Sequence, residues 1–250
     1  MKRITLFGIL LAVGMLLAGG GARAAENIWP DPSFEATGVA GPAHSGTRAG
    51  HLQVGERVHW TCIGGDLKVE PFATYRATAW VKANVGKGNP YALFHYEWDS
   101  YQWAFSNMVT LRNSDWQQVS LTFVSPFDHI YFHPLAFIDG ENCEAWIDDL
   151  VIERVQTPAE TMAALIARGP KSRTETQLLA RYYFAQKESG KLNALLAQSD
   201  NYNRADMAYV MAKETKDAAT RDKQIAAMVR CGGPLNVNGL DRFRDVTASL

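Results

Sequence analysis

The chain has 250 residues, 47% of them hydrophobic and 20% charged, with a formal net charge of −1. This length accommodates more than one domain. With 25 basic against 26 acidic residues, it lacks the basic excess that phosphate neutralisation demands, which excludes a nucleic-acid partner.

In chain order, Lys2 and Arg3 precede an apolar run from Ile4 to Leu17, followed by Gly19, Gly20, Gly21 and Ala22-Arg23-Ala24. A basic start, a short apolar core and an A-x-A site describe a signal peptide over residues 1–24, cleaved after Ala24. The mature protein is expected to be secreted or periplasmic, with no membrane span after cleavage. From Ala25 to Gln156 there are 16 acidic and 8 basic residues, and from Thr157 to Leu250 there are 10 and 14. Such asymmetry marks two domains, 25–156 and 157–250.

Residues 25–156 read as β. Tyr75, Ala77, Ala79 and Val81 alternate with polar residues, as do Val119, Leu121 and Phe123. Further short strands are expected at 51–54, 57–62, 91–98, 103–111, 129–138 and 144–155, separated by turn residues. This spacing predicts a two-sheet sandwich. Thr157-Pro158-Ala159-Glu160 is a capping box with proline at the first helical position. Helices are expected over 157–168, 174–188, 191–198, 204–213 and 218–230. The fold class is therefore mainly β, a jelly-roll sandwich followed by a small all-α domain of helical hairpins, through which a protein partner would bind.

The segment from Phe94 to Trp103 concentrates aromatic and planar polar groups, the two surfaces that sugar recognition needs. Trp98, Tyr101 and Trp103, with Trp80 on the polar face of its strand, are the candidate stacking residues. Gln102, Glu97 and Arg76 are the candidate hydrogen-bond partners. Trp116 and Trp146 are read as structural. His129 and His133 are four residues apart, about 13 Å on a strand, too far to share a metal. No Gly-x-Ser-x-Gly string is present. Export permits disulfides. Cys62 and Cys143 are the expected pair, leaving Cys231, while three unpaired thiols remain the alternative.

Five pieces in order resemble a carbohydrate-binding module of the family 4/9 type, within the galactose-binding-like jelly rolls. They are Asn27 to Glu35, His44 to Val54, Tyr75 to Lys82, Asp115 to Ser120 and Trp146 to Leu150. The resemblance covers residues 27–155 and leaves the helical part outside. It implies non-catalytic binding of a polysaccharide or oligosaccharide. It also implies a structural Ca2+ joining Glu35 near the N-terminus to Asp149 in the last strand, with backbone carbonyls from the Ser-Gly turn. The competing readings are an envelope scaffold or protein-binding jelly roll, and a polysaccharide lyase or hydrolase.

Overall fold

The computed structural model describes residues 26–87, 91–93, 95–99, 102–104, 108–110, 114–199, 216–220 and 223. Along the chain run β1 (Val39–Ala40), β2 (Arg48–Val54), β3 (Val58–Lys68), β4 (Thr74–Lys87), β5 (Tyr91–Leu93), β6 (His95–Asp99) and β7 (Gln102–Ala104). These are followed by β8 (Met108–Thr110), β9 (Ser114–Val124), β10 (His129–Gln156), α1 (Pro158–Arg168), α2 (Arg173–Ala185) and α3 (Ser189–Gln198).

Alternation decides which side of each strand is buried. On β4, Tyr75, Ala77, Ala79, Val81 and Ala83 are buried, and on β9 Val119, Leu121 and Phe123. Tyr75 and Phe123 are register partners whose rings stack at 5.6 Å. Phe132 of β10 closes the interior from the other side, 5.8 Å from Phe123 and 6.2 Å from Trp29. The result is a β-sandwich with one apolar core.

One strand serves both layers. The first half of β10 pairs with β3 and β6, and β6 pairs with β7. Its second half lies between β2 and β4, with β1 and β9 outside them. Separate strands at 129–138 and 144–155 were expected, but β10 is continuous. Its backbone changes course through Gly140 and the positive-φ Asn142. The expected strand at 91–98 is split into β5 and β6, and β5 pairs with β8 instead.

The predicted bridge is not formed: Cys62 and Cys143 carry no disulfide. Cys62 lies opposite Ala136 in one ladder, whereas Cys143 lies opposite Val54 and Val85 in the other. The buried Cys143 thiol instead points at the Glu141 and Lys87 carbonyls. Cys231 lies outside the described residues.

The capping box forms as read. Thr157 Oγ1 accepts from the Glu160 N–H, and Glu160 Oε2 accepts from the Thr157 N–H at 2.8 Å. Gly169, at φ 70°, ends α1. Met162, Leu165, Leu178, Leu179, Leu192 and Leu196 make a second core, into which the sandwich inserts Phe72. Phe72 meets Tyr182 edge-on at 5.3 Å, and the Arg181 guanidinium lies 4.6 Å above Phe127. The expected helix at 204–213 lies outside the described residues, and of 218–230 only 218–220 and 223 are described, all helical. Among the described residues no helix is long and apolar enough to cross a membrane.

Candidate functional site

Strand pairing divides six of the seven candidate ligand residues between the two sheets. Arg76 and Trp80 stand on β4. Glu97, Trp98, Gln102 and Trp103 stand on β6 and β7 of the other sheet. Tyr101 lies outside the described residues. Arg76 pairs with the Glu153 carboxylate across the β4–β10 ladder. Trp80 is covered by His44, whose imidazole stacks on the indole at 4.0 Å and 10°. Trp116 meets the same imidazole edge-on at 5.7 Å. These contacts make Trp80 part of a packed cluster.

The other sheet carries a row of register partners across its strands. Asp66 of β3 lies opposite Tyr131 of β10, Tyr131 opposite Glu97 of β6, and Glu97 opposite Trp103 of β7. Trp98 falls where the β6–β7 register slips, between the Glu97–Trp103 and Asp99–Gln102 pairs. At the usual strand separation the four-residue row spans about 14 Å. Tyr131 is 39% exposed although it stands on a central strand.

The groups beside Tyr131 hold it in place. His133, two residues on, is buried, and its ring meets the Tyr131 ring edge-on at 4.7 Å. Burial lowers the His133 pKa to about 4, so the imidazole is neutral near pH 7. A Cβ at Gly64 would come 2.6 Å from His133 Cδ2 and 2.9 Å from Tyr131 Cε1. Only glycine lets both rings approach β3 so closely.

Sequence reasoning missed Tyr131 and Asp66. The alternation His129, Tyr131, His133 is the one local signal, and it does not by itself place Tyr131 on an exposed face. The tyrosine between them stands where the row crosses β10.

Glu35 and Asp149, nominated for calcium, reach one turn from opposite ends. Glu35 Oε1 accepts from the N–H groups of Thr47 (2.7 Å) and Arg48 (3.0 Å), and Oε2 from Thr47 Oγ1. These bonds hold the Glu35 carboxyl below its usual range. Asp149 accepts from Ser45 Oγ at 2.6 Å and pairs with His44 Nδ1 at 2.6 Å. The neighbouring Asp148 is fully buried and takes the N–H groups of His44, Ser45 and Asp149. Gly46, at φ 64°, passes beneath Glu35, where any Cβ would collide with the carboxylate. Among the described residues no three His, Cys, Asp or Glu side chains converge as a metal cage.

Similarity to a known family is confined to this sandwich. Residues 29–132 match the family model of a carbohydrate binding domain. The matched segment runs from Trp29 into β10 and ends one residue after Tyr131. The carbohydrate binding domain match leaves the helices outside. Solved structures similar to the chain include carbohydrate-binding modules. The TmCBM61 module in complex with beta-1,4-galactotriose is 18% identical over 52% of this chain and 99% of that one, at a TM-score of 0.39. The CBM22-1 xylan-binding domain of Paenibacillus barcinonensis Xyn10C is 17% identical over 48% and 80%, at 0.38. A family 16 carbohydrate binding module is 21% identical over 50% and 89%, at 0.37. No curated protein matches the chain.

Proposed function

We propose that the protein is an exported, non-catalytic glycan-binding protein whose ligand lies on the β3–β10–β6–β7 sheet. The observation that carries this reading is the exposed Tyr131 within the cross-strand row of Asp66, Glu97 and Trp103. Tyr131 offers a ring to the C–H side of a pyranose, with Trp103 as its partner along the row. Asp66 and Glu97 accept from sugar hydroxyls. Carboxylates at two of four positions, on a module with 16 acidic and 8 basic residues, favour neutral glycans over uronate polymers.

Affinity electrophoresis of the full mature chain on β-glucan, xylan and galactan tests the reading. Retardation on a neutral glycan that Tyr131→Ala removes supports it. No retardation on any of the three, or retardation that Tyr131→Ala leaves intact, overturns it.

Calcium is a separate proposal. Calcium takes six to eight oxygen ligands, and the turn between Glu35 and Asp149 supplies oxygens from two carboxylates, the Ser45 and Thr47 hydroxyls and backbone carbonyls. Such oxygens are of the kind a hard cation takes, although the Glu35 and Asp149 carboxylates here accept from N–H and O–H groups of the turn. The ion would hold the turn and stabilise the sandwich.

A further inference from the structure

The outer edge of β3 presents backbone groups to solvent. Val69 donates to the Asp128 carbonyl at 2.9 Å, and Leu67 and Gly65 follow it in register with Ile130 and Phe132 of β10. Alternation then turns the N–H and C=O groups of Lys68, Asp66 and Gly64 away from β10. All three residues are exposed, and among the described strands β3 pairs with β10 alone. An unpaired edge of this kind is a template for a further strand.

Beside that edge a cavity of about 370 Å³ opens between β3, β2 and the segment from Trp29 to Val39. Trp29, Phe34 and Ile63 give it apolar walls. Gly65 faces this side of β3, and a Cβ there would stand 3.6 Å from the Trp29 ring, an ordinary contact. Packing therefore does not require glycine at 65 as it does at 64. The missing side chain instead leaves the Trp29 ring open to a group arriving at the edge. The exposed Asp66 carboxylate stands on the other side of the strand. A strand that fits here carries an apolar side chain opposite Gly65 and a cation at the next position.

The sequence beyond residue 223 holds one aromatic residue, Phe243, and it stands between Arg242 and Arg244. With Phe243 opposite Gly65, an arginine falls opposite Asp66 whichever way the segment runs. Asp241 and Asp245 are then two positions to either side of the ring, clear of the Gly65 opening. From Lys223 to Arg242 the chain reaches about 50 Å even with residues to 230 helical. A folded unit the size of residues 26–199 is about 40 Å across.

We propose that the segment around Phe243 pairs with the β3 edge of its own chain, seats its ring against Trp29 and sets an arginine on Asp66. The segment closes the open edge and neutralises the carboxylate at the end of the cross-strand row. The proposal does not depend on the glycan reading.

Amide hydrogen exchange of the full mature chain tests it, with the Ala77 amide of β4 as the control for an intact sandwich. The Gly64, Asp66 and Lys68 amides are expected to exchange about tenfold or more slowly in the parent than in Phe243→Asp. Asp66→Arg should lose the same protection, and adding Arg242→Asp and Arg244→Asp to it should restore it. Equal exchange in the parent and Phe243→Asp overturns the proposal, as does a charge exchange that restores nothing. Protection that grows with protein concentration assigns the edge to a second copy and also overturns it.

Discussion

Glu35 and Asp148, more than a hundred residues apart in sequence, hold the same turn from its two ends. Asp148 takes the N–H groups of His44 and Ser45, and Glu35 takes those of Thr47 and Arg48. The start and the end of the sandwich are joined through a segment belonging to neither, and the two carboxylates differ in worth because one is buried and one is not.

Asp148→Ala should be the most damaging single change in this turn. It removes a fully buried carboxylate that accepts from the N–H groups of His44, Ser45 and Asp149, at a cost of about 1–3 kcal/mol. Glu35→Ala removes an exposed carboxylate whose donors water can satisfy, and should cost less. Urea unfolding of both variants checks the order.

If calcium occupies the turn, chelation lowers the melting temperature of the parent, and Asp149→Ala abolishes that sensitivity. Equal melting curves with and without chelator would show the hydrogen bonds alone to be sufficient.

Tyr131→Ala should lower glycan affinity about tenfold, the worth of one stacking contact. Its melting temperature should change little, since the ring is partly exposed. A large fall in stability with unchanged affinity would mark the ring as structural.

His133 makes stability depend on pH with a definite sign. Its pKa falls from 6.5 to about 4 on folding, so between those values the unfolded chain binds more protons than the folded one. Stability therefore decreases as the pH is lowered through that window and is insensitive to this group above it. His133→Gln should flatten the dependence, as read from urea midpoints between pH 7 and pH 4.

Phe72→Ala should loosen the helices from the sandwich. A buried phenylalanine is worth about 3–5 kcal/mol, and this one belongs to the helical core although its strand neighbours belong to the other. Calorimetry is expected to resolve two transitions in the variant where the parent gives one.

Much of the frame was readable because alternation and capping are local. The inward face of β4, the polar alternation of β9 and the Thr157 capping box each depend on residues within a few positions of one another. The turn clip was half readable: the resemblance named Glu35 and Asp149, but not Asp148, which alone is fully buried. The site was harder because it is a property of register. Asp66, Tyr131, Glu97 and Trp103 become neighbours only through three strand pairings, and no local pattern announces them. Trp80 shows the same limit. Its polar neighbours on β4 suggested an open face, but His44 arrives from a distant turn to cover it. The disulfide failed because membership of one domain does not place two cysteines on one ladder.

The continuity of β10 has a mechanical consequence. Tyr131 and Asp148 lie on one unbroken strand, so a pull on a ligand held at the face travels along covalent backbone into the turn that joins the first segment to the last. Load reaches the turn held by Asp148 and Glu35 without passing through a side-chain interface, and the two layers are strained together.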